Sequence, residues 1–159
     1  IEDPEGSRNF SNLYNDLRWQ PVPWLGVDVE TQFPIAKGGS GFNEFGSRLR
    51  FMPNPDFEFS FGYRLLEGHP VLVDSDRLDF KTYFRINENW GLGTRHVLEL
   101  DDSTLEVEQY SLHRDLGNWV AGMGLTHRNN RFEEEYGLIF SLTLKDFPAV
   151  SLPFQIDAE

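Results

Sequence analysis

Residues 57–66 read FEFSFGYRLL, and this stretch decides the fold class. Successive side chains of a β-strand point to opposite faces, so one face collects Phe57, Phe59, Phe61, Tyr63 and Leu65. The other face carries Glu58, Ser60, Gly62, Arg64 and Leu66. A helix would not gather the five large apolar side chains on one side. The stretch therefore predicts a strand with one apolar and one largely polar face.

The same alternation recurs in segments of roughly ten residues, the length that crosses a bilayer when the strand is tilted. Residues 77–86, 90–100, 119–127 and 136–145 repeat it clearly. Weaker segments at 12–20, 24–33, 42–52 and 104–114 complete a predicted set of nine strands. In the last of these, Tyr110 and Leu112 are out of phase with Leu105 and Val107, which predicts a β-bulge.

The connections between these segments alternate between short turns and longer loops. The short set is rich in Pro, Asn, Asp and Gly and lies at 21–23, 53–56, 87–89 and 115–118. The longer set lies at 34–41, 68–76, 101–103 and 129–132. A meander with these connections has a short-turn rim, expected to face the periplasm, and a long-loop rim outside. An aromatic girdle is predicted at the short-turn rim from the four tryptophans, Trp19, Trp24, Trp90 and Trp119.

The composition narrows the function classes. No apolar run of eighteen residues is present and the mean hydropathy is −0.46, so the sequence contains no helical membrane span. The formal net charge is −12, from 26 acidic and 14 basic residues, which argues against nucleic acid as a partner. The absence of cysteine excludes disulfides and thiolate metal sites. Residues 1–10 lack the pattern of a signal peptide, so export is inferred from the fold alone.

These observations predict an all-β fold, an antiparallel up-and-down transmembrane β-barrel of about nine strands, with eight or ten as alternatives. The predicted organisation is an extracellular lead-in over 1–11, strands over 12–145 and a periplasmic tail over 146–159. An odd count does not close a bacterial barrel, so we expect strands to be missing before residue 1 and the chain to be part of a larger barrel. A soluble β-sandwich is the alternative fold.

The inward side chains of this barrel are the first candidate site. The predicted lumen-lining residues are charged: Arg48, Arg50, Arg64, Asp79, Lys81, Arg85, Arg95, Glu99, Glu106 and Glu108. Their arginines could bind phosphates or sugars, but a solvated and mutually paired wall is the favoured interpretation. Glu133, Glu134 and Glu135 lie beside Arg128 and Arg131, where a divalent cation or a solvated strand end is possible. We predict no metal and no cofactor.

The C-terminal half resembles a known family. The resemblance lies in YFRINENWGLGTRHVLEL, EVEQYSLHRDLGNWVAGMGLTHR and EEYGLIFSLTLKDFPAVSL, in this order. It covers about residues 42 to 152. This part of the chain resembles the C-terminal barrel region of the lipopolysaccharide-assembly outer-membrane protein family, LptD, formerly the organic solvent tolerance protein. The residues similar to its strand-turn-strand are Tyr110, Leu112, Arg114, Asp115 and Trp119. Those similar to its closing strand are Leu142, Leu144, Lys145 and Phe147.

The resemblance implies a role in lipopolysaccharide transport and cell envelope biogenesis in the outer membrane of Gram-negative bacteria. The family's translocon inserts lipopolysaccharide into the outer leaflet through a gate between its first and last strands. The implied closing-strand residues here are Tyr136, Leu138, Phe140, Ser141, Leu142 and Leu144. The implied partners are outer-membrane lipids and lipopolysaccharide, missing barrel strands of the same or another chain, a plug lipoprotein and a periplasmic bridge protein. Enteric members carry cysteines that this chain lacks, so their disulfide step is not expected.

Two other function classes remain. A passive pore or a small structural outer-membrane barrel needs nothing beyond the alternation. A lipid hydrolase is less favoured: Ser111 and His113 share a face, but no acidic partner and no Gly-x-Ser-x-Gly motif accompany them. His69, His96 and His127 are scattered without metal-ligand spacing. We therefore predict that the chain is not an enzyme.

Overall fold

The computed structural model describes residues 12–35, 43–69, 72–129 and 133–158, with side chains described up to residue 146. The predicted lead-in over 1–11 lies outside the described residues. The described chain forms ten β-strands: β1 (Asn12–Val22), β2 (Leu25–Pro34), β3 (Asn43–Asn54), β4 (Phe57–Glu67), β5 (Ser75–Arg85), β6 (Trp90–Glu99), β7 (Thr104–Asp115), β8 (Trp119–Asn129), β9 (Glu134–Leu144) and β10 (Phe147–Ala158).

The strands form one sheet in chain order, from β1 at one edge to β10 at the other, and each pairs antiparallel with its sequence neighbours. This confirms the predicted all-β, antiparallel, up-and-down topology. Within the described ranges no pairing joins β1 to β10, so the sheet is open. In the same ranges no helix is long and apolar enough to cross a membrane.

The tenth strand corrects the prediction of a tail over 146–159. From Ser151 onward β10 pairs residue by residue with β9, ending with Ala158 opposite Tyr136. Pro148 and Pro153 obscured this strand, because proline removes a backbone donor and is confined to strand ends, bulges and sheet edges. Since β10 is an edge strand, it tolerates both prolines. The described chain therefore has an even number of strands, and missing strands can no longer be inferred from an odd count.

All five short connections lie at one end of the sheet, which we call the turn end, and the longer ones lie at the opposite, loop end. Side chains fold several of the turns locally, as their composition predicted. The Asn87 side-chain oxygen accepts hydrogen bonds from the backbone N–H groups of Asn89 and Trp90, at 2.9 and 3.0 Å. Asp115 accepts one from the Gly117 N–H at 2.8 Å, and Gly117 has a φ of 86°.

The predicted bulge in β7 is confirmed at Glu106. Val97 of β6 pairs with Val107, whereas the next residue, Leu98, pairs with Leu105. Glu106 is therefore the extra residue, and the faces of β7 exchange at this point. This explains why Leu105 shares a face with Tyr110 despite the odd spacing between them.

The sheet has two chemically distinct faces, as the alternation predicted. The apolar face is defined by the row that crosses β3 to β5 through Leu49, Phe61 and Phe80. Many of its large side chains are exposed, among them Met123 at 52% and Leu125 at 58%. The described hydrophobic side chains that are buried, Leu66 and Val97, belong to the other, polar face. The described chain is thus a single layer whose apolar face is not covered by protein.

Candidate functional site

Cross-strand ion pairs occupy much of the polar face. Arg64 contacts the Glu44 carboxylate through Nη2 at 2.7 Å, and Arg95 contacts Asp79 at 2.9 Å. At the turn end, Arg85 lies 3.2 Å from Asp56. Pairs of opposite charge on neighbouring strands are the expected way to stabilise a polar sheet face. The predicted residues of these pairs therefore lie where a self-paired polar wall requires them.

Three of the predicted lumen-lining cations stand apart from these pairs. Arg48, Arg50 and Lys81 are exposed and form no ion pair with any described residue. Arg50 lies opposite Ser60, which in turn lies opposite Lys81. Since neighbouring strands are about 4.8 Å apart, Arg50 and Lys81 are separated by about 10 Å at the backbone. The polar face thus presents a cationic cluster, Arg48, Arg50 and Lys81, whose side chains contact no described carboxylate within 4 Å.

Glu99 was predicted to line the lumen, but its side chain is buried, with 2% exposed. Its carboxylate accepts hydrogen bonds from Ser75 Oγ and from the Asp76 backbone N–H, both at 2.7 Å. A buried carboxylate is stable only when such donors replace water. Glu99 therefore anchors the start of β5 on the polar face, where its buried carboxylate lies 3.9 Å from Arg77 Nε and has little contact with solvent.

Glu108 was also predicted on the polar side, and the register corrects this assignment. The bulge at Glu106 reverses the faces of β7, so Glu108 lies opposite His96 on β6 and His127 on β8, on the apolar face. Glu106 itself reaches the polar face, where its carboxylate is 2.7 Å from Arg77 Nη2. The side chains of Glu106 and Glu108 thus lie on opposite faces of the sheet, although the two residues are only two positions apart.

Around Glu108 the apolar face carries a polar group that we call the loop-end cluster: Glu108, His127, Glu134 and Tyr136. His127 Nδ1 is 3.1 Å from Glu108 Oε2, and its Nε2 is 2.9 Å from Glu134 Oε1. Tyr136 donates its hydroxyl hydrogen to the same Glu134 oxygen at 2.9 Å. The imidazole stacks on the Tyr136 ring with centroids 4.5 Å apart. Sequence reasoning missed this cluster because it depends on the pairing of three strands.

Two cavities open near the loop end. One, of about 340 Å³, lies on the apolar face over β7, β8 and β9, against Tyr110, Leu125 and Leu138 and against three members of the loop-end cluster, Glu108, His127 and Tyr136. The other, of about 350 Å³, is lined by Arg77, Glu106, Arg128, Glu133 and Glu135. Arg131, predicted beside these acids, lies outside the described residues. No group of three described metal-ligating side chains is arranged to hold a metal ion.

The four tryptophans lie at the turn end, as predicted, and contribute to the apolar face. Trp19 pairs with Val27, and Trp119 pairs with Leu144. Trp24 makes an edge contact with Phe51 at 5.7 Å between ring centroids. The Arg114 guanidinium lies over the fourth ring, that of Trp90, at 5.1 Å. Their role as a membrane girdle remains a prediction.

The strand implied to close the barrel, β9, is not an edge of the sheet. Tyr136, Leu138, Phe140, Leu142 and Leu144 lie on its apolar side, and Ser141 on its polar side. Ser141 is flanked by Gly122 of β8 and Pro153 of β10. The assignment of a gate to β9 is therefore wrong for this chain, because both hydrogen-bonding sides of the strand are occupied. The edges are β1 and β10.

Ser111 and His113 contact each other on the polar face. His113 Nε2 lies 3.1 Å from Ser111 Oγ, and the serine hydroxyl donates to the backbone oxygen of Gly93 at 3.4 Å. No described carboxylate or amide contacts His113 Nδ1. The pair lacks the orienting partner of a hydrolytic triad.

Compared with known proteins, the chain matches no protein-family model, no curated protein and no solved structure.

Proposed function

We propose that this chain is a β-barrel segment of the bacterial outer membrane, and that it belongs to a translocon that inserts lipopolysaccharide into the outer leaflet. The observation that carries the membrane location is the apolar face, whose exposed leucine, phenylalanine and methionine side chains no described protein layer covers. Water would make such a face unfavourable by about 25 cal/mol for each Å² exposed, whereas hydrocarbon removes this cost. Large exposed apolar surfaces mark contact with membranes or other proteins.

The dimensions of the apolar face support the same proposal. Along β8, the apolar band runs from Trp119 at the turn end to His127 near the loop end. These residues are eight positions apart, which is about 26 Å along a strand and about 20 Å in height at a tilt of about 40°. The ten strands have 10 to 12 residues each, close to the length that crosses a bilayer. Aromatic residues bound both ends of the band, as in barrels with two aromatic girdles.

The two sheet edges define what the segment needs as a partner. In hydrocarbon, each unpaired backbone N–H or C=O group costs several kcal/mol, so an open edge strand is unfavourable there. In the proposed barrel, β1 and β10 therefore pair with further strands of the same or another chain. This pairing replaces the gate that sequence reasoning assigned to β9.

The transported lipid is proposed from the family resemblance together with the polar face. Lipopolysaccharide carries phosphates, and the exposed guanidinium groups of Arg48 and Arg50 and the ammonium group of Lys81 are suited to bind them. The plug lipoprotein and the periplasmic bridge protein are proposed partners on the resemblance alone. These three cations offer an anionic lipid a contact that the paired charges of the same face do not.

The experiment replaces the native gene by variants in a strain that depletes the full-length protein. Surface lipopolysaccharide is labelled and quantified after depletion. We expect Arg48→Gln, Arg50→Gln and Lys81→Gln together to lower delivery several-fold. The matched control removes three paired cations, Arg64→Gln, Arg85→Gln and Arg95→Gln, with the same change of net charge. Equal delivery by both triple variants, or no lipopolysaccharide defect on depletion, would contradict the proposal.

A passive pore is the second candidate, and the same cationic cluster favours it. If the polar face lines an open channel, these three cations raise the local concentration of anions. The purified full-length protein in planar bilayers would then show a steady, anion-selective conductance. The three glutamine substitutions would reverse or abolish that selectivity. The transporter proposal instead expects no steady conductance.

A further inference from the structure

The loop-end cluster is unusual because of the face on which it lies. Glu108, His127 and Glu134 form a hydrogen-bonded group of ionisable side chains on a sheet face that is largely apolar. Ionisable groups on a membrane-facing surface are costly and generally serve a function. His127 is two residues from the end of β8, which places the cluster about 7 Å along the strand from the rim. At this depth a lipid places its headgroup.

The adjoining cavity has the shape of an amphiphile site. Tyr110, Leu125 and Leu138 line one part of it, and Glu108, His127 and Tyr136 of the loop-end cluster line another. Glu134 adjoins the cavity through its hydrogen bonds to His127 and Tyr136. The rings are held in place: His96 Nε2 lies 3.0 Å from the Tyr110 hydroxyl, and Tyr136 is fixed by its bond to Glu134. The cavity therefore exists before any ligand arrives, which reduces the entropic cost of binding.

The charges of the loop-end cluster determine which lipid headgroup fits beside the cavity. Glu108 lines the cavity, Glu134 adjoins it through its hydrogen bond to His127, and neither lysine nor arginine lines it. With two carboxylates and one imidazole, the loop-end cluster carries a net negative charge in either protonation state of His127. In each carboxylate one oxygen contacts His127, and the other remains available to a donor. Tyrosine rings beside carboxylates also favour a cation, because the ring face carries negative charge. An ammonium group satisfies both features, whereas an anionic headgroup is repelled.

We propose that this cavity over β7, β8 and β9 binds a lipid whose headgroup carries a primary ammonium group. The ammonium donates to Glu108 and Glu134, and the acyl chain lies over Leu125 and Leu138. The inference rests on the proposed insertion of the chain into a membrane. It assigns the loop-end cluster a role in lipid selection that is separate from passage along the polar face.

The experiment uses the full-length protein reconstituted in vesicles of phosphatidylethanolamine and phosphatidylglycerol with identical acyl chains, in equal amounts. After mild detergent extraction, native mass spectrometry counts the lipids of each type that remain bound. We expect phosphatidylethanolamine to be enriched about tenfold in the retained fraction. The double variant Glu108→Gln and Glu134→Gln should lose this enrichment. The matched control, Glu30→Gln and Glu58→Gln on the polar face, should keep it.

Each other outcome is decisive. If the protein inserts but retains both lipids equally, the lipid site is refuted and the membrane proposal stands. If the double variant Glu108→Gln and Glu134→Gln lowers the melting temperature without changing the lipid ratio, the cluster only stabilises the pairing of the strands. The lipid site is then also refuted. If the protein does not insert into vesicles at all, the proposed function is refuted, and the lipid site with it.

Discussion

Gly91 provides a sharp test of the packing on the polar face. A Cβ atom added at Gly91 would lie 2.4 Å from Tyr83 Oη and 2.8 Å from two ring carbons of Tyr83, so the phenol ring lies flat on the glycine. In Gly91→Ala the ring must lift by about 1 Å or change rotamer. Overpacking of this kind costs about 1–3 kcal/mol. Alanine regains about 0.5–1 kcal/mol through lower backbone entropy of the unfolded chain.

The expected net loss in Gly91→Ala is therefore about 1–2 kcal/mol in the free energy of unfolding, from these two opposing effects. For a chain of this size such a loss lowers the melting temperature by about 2–8 °C. The double variant with Tyr83→Ala provides a stricter test of this packing. Once Tyr83→Ala has removed the ring, Gly91→Ala should cost nothing or stabilise slightly, so the effect of the methyl group changes sign.

Urea unfolding of the full-length protein in detergent micelles, followed by tryptophan fluorescence, measures all four members of this double-mutant cycle. Gly62→Ala is the matched control, since a Cβ there meets its nearest neighbour, Asp79 Cβ, at an ordinary 3.6 Å. A loss in Gly91→Ala equal to that in Gly62→Ala would refute the reasoning. So would a loss that persists unchanged in the Tyr83→Ala background.

Three further predictions concern charge and depth. Glu99→Ala leaves the donors of Ser75 and Asp76 without their acceptor, so we expect a loss of about 2–4 kcal/mol and faster amide exchange at the start of β5, measured by hydrogen exchange. Arg64→Gln breaks the exposed pair with Glu44 and should cost less than about 1 kcal/mol in the same urea assay, a larger loss contradicting the exposed geometry. Lipids brominated near the headgroup should quench tryptophan fluorescence more than lipids brominated deep in the chain; the opposite order would contradict the girdle.

The strands and their order could be predicted because the signal is local. FEFSFGYRLL alternates without interruption, and Asn87 and Asp115 fold their turns through their own side chains. Even the bulge was visible, since Tyr110 is out of phase with Leu105. These features depend on residues a few positions apart, which sequence patterns describe well. Topology follows when each strand simply pairs with the next.

The sequence did not predict features that depend on contacts between residues distant in the chain. Prolines concealed β10, and only its pairing with β9 shows that an edge position accepts them. Glu99 carries the expected charge at the expected parity, yet its burial depends on Ser75, 24 residues earlier in the chain. The sequence did not predict the partners of His127, because Glu108 and Glu134 lie on the two neighbouring strands.

The bulge in β7 determines which acidic side chain reaches each face of the sheet. Without an extra residue, Glu106 and Glu108 would share a face, since side chains two positions apart in a regular strand point the same way. The bulge at Glu106 separates them: Glu106 pairs with Arg77 on the polar face, and Glu108 pairs with His127 on the apolar face. One inserted residue thus allows a strand to supply an acid to each side of a single-layer sheet. A strand with an uninterrupted two-residue period cannot place Glu106 and Glu108 on opposite faces, because its register fixes all side chains of a face together.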